Sequence, residues 1–117
     1  MASKRKPIVL IKSSEIKKHF TMNEAIDAMQ EAFQSLAKKQ CFVPPRVVSV
    51  LKEDAVSMFL KPAYVSENQK LSIKILTQKE RGAVNNIPSI VGVVLLIDTS
   101  TGEVLSLMDG EYLTAFR

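Results

Sequence analysis

Residues that usually build metal or nucleophile sites are scarce in this sequence. Among 117 residues there is one histidine, His19, one cysteine, Cys41, and no tryptophan. A zinc site with the usual ligands is therefore excluded, and no internal disulfide can form, which favours a reducing, cytoplasmic setting. A serine–histidine–acid triad would have to use His19, which lies in a polar stretch of helical pattern. We therefore expect no metal and no such triad.

Glycine and long apolar runs are equally scarce. The four glycines are at least eight residues apart, whereas phosphate-binding and dinucleotide-binding loops need glycines within a few residues of one another. The longest apolar run, residues 90–97, holds eight residues. A membrane-spanning helix needs roughly 20. The sequence thus predicts no cofactor-binding loop in this chain and no membrane partner.

The charge balance is basic, with a formal net charge of +4 from 16 basic and 12 acidic side chains. Aromatic residues make up only 6% of the chain, and they are not interleaved with the basic ones as in many nucleic-acid-binding surfaces. We interpret the basic residues as a solvated amino-terminal cluster and wet helix faces. Nucleic acid is therefore not an expected partner.

The first 40 residues predict one strand and two helices. The short apolar run at 8–11 favours a strand, and Ser13 or Ser14 can cap a short helix through about Phe20. The second helix has a clearer start, because Thr21 and the glutamate three residues later form a capping box. Apolar residues then recur at helical spacing and are expected to face the core: Met22, Ala25, Ile26, Met29, Ala32, Phe33 and Leu36.

After two prolines, the apolar pattern changes to the period of two that is typical of strands. Pro62 is expected to end the second of these strands, and the unbroken apolar strand at 90–97 is expected to be buried on both faces. Residues 98–102 have the composition of a hairpin turn. The predicted strands are 46–51, 55–60, 71–77, 90–97 and 103–108. This order predicts an α+β fold, with N-terminal helices packed on a mostly antiparallel sheet.

The last seven residues, 111–117, are typical of the first turns of a helix and show no stop signal. We therefore expect residues 1–117 to form a single domain that is truncated at the start of this helix.

Three cations lie in apolar surroundings, where a charge is costly unless it has a partner. Arg46 opens a predicted strand, Lys74 lies in the middle of another, and Arg117 ends the predicted terminal helix. An arginine fork suits a carboxylate or a phosphate. The alternative for each residue is a salt bridge or a solvated strand edge. From the residues alone, the sequence indicates a possible anion-binding domain.

Short motifs in a fixed order give the chain a more specific resemblance. From Ile11 onward it resembles the N-terminal half of the ornithine cyclodeaminase/mu-crystallin family. Each motif is weak alone, but the order and spacing together are specific. The motifs read Pro44-Pro45-Arg46, Lys61-Pro62-Ala63-Tyr64, Ser72-Ile73-Lys74-Ile75, Ile87-Pro88-Ser89-Ile90-Val91-Gly92, Leu96-Ile97-Asp98 through Gly102, and Met108-Asp109-Gly110-Glu111-Tyr112-Leu113-Thr114-Ala115-Phe116-Arg117.

This resemblance implies an NAD(P)-dependent enzyme acting on a small amino or imino acid. The reactions it implies are those of an amino-acid cyclodeaminase, an alanine dehydrogenase, or a ketimine or pyrroline-carboxylate reductase. The chain resembles the substrate-binding and dimerisation domain, which suggests a homodimer. The Rossmann domain that binds NAD(P)H would lie beyond it, so the chain alone is expected to be inactive, with part of its apolar surface uncovered. The alternative is a non-catalytic dimerisation module that binds a carboxylate or a hormone.

The resemblance also implies roles for individual residues. Arg46 and Arg117 resemble the pair that holds the substrate carboxylate, and Lys74 resembles the catalytic lysine beside the reacting carbon and nitrogen. Lys61 stands where the family usually has methionine. It could contact the substrate, change specificity or turn to solvent.

Overall fold

A computed structural model describes residues 6–80, 82 and 84–110. Arg117 and the predicted helix at 111–117 therefore lie outside the described residues. The described part contains two helices and seven strands: β1 (Val9–Ile11), α1 (Ser13–His19), α2 (Met22–Ala37), β2 (Cys41–Phe42), β3 (Val47–Leu51), β4 (Val56–Val65), β5 (Lys70–Lys79), β6 (Ile90–Asp98) and β7 (Val104–Asp109).

The strands form one sheet in the order β1-β7-β6-β5-β4-β2, and β3 also pairs with β4. All neighbouring pairs are antiparallel except β1 and β7, which run parallel. From β3 to β7, each strand is the neighbour of the next one in the sequence, as is usual for antiparallel sheets. The predicted α+β class and mostly antiparallel sheet are confirmed.

All six strands predicted from the sequence are present, and β2 is the strand that the sequence analysis missed. Burial of β6 was predicted wrongly. Ile90 and Val91 are exposed and the rest of the strand is half-buried, because the described residues do not cover the sheet on both faces.

The prediction that Pro62 ends its strand was also wrong. β4 continues through Pro62 to Val65, and Pro62 pairs with Ile73 of β5. On its other edge β4 pairs with β3 up to Leu60 and with β2 from Tyr64 onward. Within the described chain, no strand faces Pro62 on that edge. A proline is tolerated there because the N–H that it lacks is not needed for pairing.

The helix starts differ in how well the sequence predicted them. The Thr21 capping box is confirmed, since Thr21 Oγ1 accepts a hydrogen bond from the Glu24 amide at 3.2 Å and the Thr21 amide donates to Glu24 Oε1 at 3.3 Å. Ser13 and Ser14 do not cap α1. They are its first two residues, and Lys12 is the N-cap, with its amide donating to Glu15 Oε1 at 3.3 Å.

The apolar stripe of α2 was expected to face the core, and it does so only at Ala25, which is 8% exposed. The helix contacts the sheet mainly near β2, and no second layer from residues 6–80, 82 and 84–110 covers the remaining stripe. Its large exposed side chains are Met22, Ile26, Met29, Phe33 and Leu36.

Few of the described residues are buried: besides Gly110, they lie in α1, α2, β5 and β7. Ile16, Ala25 and Leu76 are the buried apolar residues of the described chain, and Ser106 is its buried polar residue. No helix in the described part combines the length and the apolar character that crossing a membrane requires.

Candidate anion-binding site

The pairing of β4 with β5 brings two predicted site residues together. Lys61 of β4 lies directly opposite Lys74 of β5. Direct partners in an antiparallel pair project from the same face of the sheet, with their β carbons about 4.5–5.5 Å apart. Both lysines are half-buried. The two ammonium groups therefore belong to one site on one face of the sheet.

Arg46 joins this row from the neighbouring strand. It immediately precedes Val47, the first residue of β3, whose partner is Leu60 of β4. Continuing this register by one residue beyond β3 places Arg46 beside Lys61, on the face shared by Val48 and Phe59. Arg46 is exposed. Arg46, Lys61 and Lys74, which we call the cation row, span two strand spacings, about 10 Å.

A local irregularity positions Arg46. Between β2 and β3, the four residues 43–46 face only three residues of β4, 61–63. The connecting segment 43–46 is thus one residue longer than the stretch of β4 that it passes. Pro44 and Pro45 lie within it and donate no backbone hydrogen bonds. The segment therefore leaves the regular ladder just before Arg46.

The same-strand neighbours of Lys61 on its face of the sheet are apolar. Along β4 its same-face neighbours are Phe59 and Ala63. The Lys61 ammonium nitrogen lies 5.7 Å from the centre of the Phe59 ring, within the range of a cation–π contact. No carboxylate of the described ranges forms a salt bridge with Lys61. Its ammonium group is held over the sheet, beside two other cations.

The strand next to β5, β6, ends in an acidic residue. Asp98 of β6 is paired with Lys70, at the start of β5. Hydrogen bonds from the Ser100 hydroxyl, at 2.6 Å, and amide, at 2.9 Å, lower the pKa of Asp98 below its ordinary value of 3.8. The carboxylate thus caps the predicted turn at 98–102, where the Gly102 amide donates to the Asp98 carbonyl at 2.7 Å. The Asp98 carboxylate therefore accepts its hydrogen bonds within the turn and lies away from the cation row.

The geometry thus brings together Arg46, Lys61 and Lys74, whereas Arg117 lies outside the described residues. Each residue was singled out in the sequence, but their placement in one row was not. That placement depends on strand pairing between distant segments, and the pattern within each segment carries no signal for it. Such a row of donors can bind carboxylates and hold them in a fixed orientation.

Other residues of chemical interest lie elsewhere. Cys41 is half-buried in β2 and has no disulfide partner among the described residues. Across residues 6–80, 82 and 84–110, no three His, Cys, Asp or Glu side chains are grouped so that they could hold a metal ion.

Comparison with known proteins gives matches along nearly the whole chain. The model of the ornithine cyclodeaminase/mu-crystallin family matches residues 6–117. A delta(1)-pyrroline-2-carboxylate reductase of Bacillus cereus is 27% identical over 110 residues, which are 94% of this chain and 34% of that protein. The ketimine reductase mu-crystallin of Rattus norvegicus is 35% identical over 74 residues, which are 63% of this chain and 24% of that protein.

The fold also matches solved structures. The delta(1)-pyrroline-2-carboxylate reductase of Thermococcus litoralis, solved in complex with NADH and L-proline, superposes with a TM-score of 0.87 and 27% sequence identity. The match covers 93% of this chain and 34% of that one. The chain therefore spans about a third of the length of the relatives that it matches.

Proposed function

This chain belongs to the ornithine cyclodeaminase/mu-crystallin family, and on that basis we propose that it is the substrate-binding part of an NAD(P)-dependent enzyme. The substrate is a small amino or imino acid, and the reaction is a cyclodeamination, a dehydrogenation or an imine reduction. The observation that carries this proposal is the cation row, in which Arg46 and Lys74 share one face of the sheet although 28 positions separate them in the sequence.

In this proposal, distinct chemical roles are assigned to Arg46, Arg117 and Lys74. The planar guanidinium of Arg46 holds the substrate carboxylate with two parallel hydrogen bonds, which fixes its orientation as well as its position. Arg117 is the second ligand of the same carboxylate. The Lys74 ammonium donates a hydrogen bond to the substrate nitrogen. Holding both ends of the reacting unit keeps the carbon between them in one place, so hydride transfer is directed to one atom.

The described residues do not themselves fit a dinucleotide cofactor. Nucleotide-binding α/β folds use a glycine-rich turn between a parallel strand and a helix. Here Gly82, Gly92 and Gly102 are ten residues apart, and β4 to β7 form antiparallel hairpins. We therefore assign NAD(P)H to the part of the relatives' length that this chain does not span, and derive no step through it. On this proposal the chain alone catalyses no hydride transfer.

Self-association of the domain is part of the proposal. β3 pairs with β4 along one edge, and no strand of the described chain pairs with its other edge. The apolar side chains of β3 are half exposed on both faces, as Val47 at 49% and Val48 at 49% show. A free apolar edge is a template for pairing with another strand. We assign this edge to the β3 strand of a second copy, related by a two-fold axis.

The carboxylate-binding role can be tested on the purified chain with L-proline and L-prolinamide, which lacks the carboxylate. Binding is followed by chemical-shift changes of the ¹⁵N-labelled protein. We expect L-proline to bind more tightly than L-prolinamide, and Arg46→Met to weaken L-proline binding by about tenfold or more through the loss of a charged hydrogen bond.

Lys52→Met is the matched control, because Lys52 is exposed in the turn after β3, at the far end of that strand from Arg46. It removes one positive charge and should leave L-proline binding unchanged. Equal binding of the two ligands, or an unchanged affinity in Arg46→Met, would contradict the proposed role.

A further inference from the structure

We propose that Lys61 binds a second acidic group of the substrate, so that this site takes a dicarboxylic amino or imino acid. This inference rests on the proposed function, which assigns the first carboxylate to Arg46. It goes further by giving Lys61 a role as a specificity-determining residue.

The first argument is the position of Lys61 in the cation row. Lys61 is the middle member, with Arg46 entering the sheet on one side and Lys74 directly opposite on the other. Like charges that face each other across a strand pair are destabilising. An acidic group of the substrate beside Lys61 offsets this repulsion. With the first carboxylate at Arg46, this second acidic group lies about one strand spacing away, close to 5 Å.

The second argument is the orientation of the Lys61 side chain. An exposed lysine usually extends its ammonium group into water. Lys61 is half-buried instead, and its nitrogen lies 5.7 Å from the centre of the Phe59 ring. The aromatic contact holds the ammonium group over the same face as the other two cations. Lys61 is therefore aligned for a ligand on the sheet, and solvation alone does not account for its position.

The third argument is that Lys61 has no acidic partner among the described residues. Its same-strand neighbours on that face, Phe59 and Ala63, carry no acid, and no ion pair with Lys61 occurs in the described part of the chain. A half-buried ammonium group is costly unless it is compensated. A bound carboxylate provides this compensation through a charge-assisted hydrogen bond.

The test compares pairs of ligands that differ only in the second acidic group. L-glutamate is compared with L-glutamine, and L-aspartate with L-asparagine, by the same chemical-shift titration of the purified chain. We expect the acid to bind about tenfold more tightly than its amide in at least one pair, because a hydrogen bond to a charged group is worth about 1.5–3 kcal/mol. Lys61→Met should remove this preference, whereas Lys52→Met should keep it.

The possible results separate this inference from the proposed function. If acid and amide bind equally, or if Lys61→Met keeps the preference, Lys61 does not select a second acidic group. The proposed function still stands in that case, provided that Arg46→Met weakens binding of both ligands. If no ligand of either pair binds, and L-proline does not bind either, the proposed carboxylate site is wrong and this inference falls with it.

Discussion

Gly110 lies directly against the backbone of Gly92. A β carbon on Gly110 would stand 3.0 Å from both the carbonyl carbon and the carbonyl oxygen of Gly92. A β carbon on Gly92 would in turn stand 2.8 Å from the carbonyl oxygen of Ile75 and from the β carbon of Leu76. The start of β6 is therefore packed so closely against its neighbours that neither position has room for a side chain.

This packing predicts that Gly92→Ala is strongly destabilising. The new methyl group would meet the main chain of Ile75, which cannot move without breaking the pairing of β5 with β6. We expect the free energy of unfolding to fall by about 3 kcal/mol, the upper end of the usual cost of overpacking. Urea unfolding followed by circular dichroism measures the change.

Gly102→Ala is the control for that substitution. Gly102 has a φ of +81°, and a β carbon there would meet no atom within 4 Å. In this variant the free energy of unfolding should fall only by the strain of a left-handed backbone, about 1–2 kcal/mol. If Gly92→Ala were no more destabilising than Gly102→Ala, the close contact at Gly92 would not be a constraint on the fold.

The two helix starts predict opposite results for similar substitutions. Thr21→Ala removes the side chain that accepts a hydrogen bond from the Glu24 amide and should lower the free energy of unfolding by about 1 kcal/mol. Ser13→Ala should change it by less than about 0.5 kcal/mol, because Ser13 lies inside α1 and is not its N-cap. Urea unfolding of both variants gives the comparison. If Ser13→Ala lowered the free energy of unfolding more than Thr21→Ala does, Ser13 would be the N-cap of α1 after all.

The free edge of β3 predicts a dimer that one charge can disrupt. We expect the wild-type chain to sediment as a dimer, and Val50→Lys to raise the dimer dissociation constant by about tenfold or more, since lysine on an edge strand opposes pairing. Analytical ultracentrifugation over a range of concentrations measures this constant.

Leu10→Lys provides the matched control at the opposite edge of the sheet. Leu10 lies in β1 and is 66% exposed, so the substitution adds the same charge to the other edge strand. This variant should remain a dimer. A monomeric wild-type chain, or a dimer disrupted by Leu10→Lys and not by Val50→Lys, would exclude the β3 edge as the interface.

Local patterns were sufficient to predict much of the fold. The continuous apolar run at 90–97 became β6, and the Thr21 capping box opens α2. The errors arose where a neighbouring segment decides the outcome. A proline usually ends a strand. Pro62 does not, because it lies on β4 between the residues that pair with β3 and those that pair with β2. The α2 stripe has the pattern of a buried face, yet whether it is buried depends on what covers it, which the helix sequence does not specify.

The candidate site was predictable only in part, for the same reason. Arg46, Lys61 and Lys74 could each be identified as cations in apolar or motif-defined positions. Their common face follows from the pairing of three strands and from the one extra residue in the segment 43–46, which shifts the register of β3 relative to β2. A register shift of one residue moves a side chain to the other face of a sheet. No pattern within a single strand specifies that shift.

The parallel pairing of β1 with β7 has a consequence for synthesis on the ribosome. Val9 pairs with Ser106 and Ile11 with Met108, so the first described strand of this sheet has its partner in the last described strand. The hairpins from β4 to β7 can form in order as they emerge, whereas β1 must wait, with Val9 and Leu10 unpaired, until residues 104–109 are free. Long-range pairing of this kind is slow, and strands that wait for a partner are exposed to aggregation. The earliest-made strand of this sheet is therefore the one that most needs protection in the nascent chain.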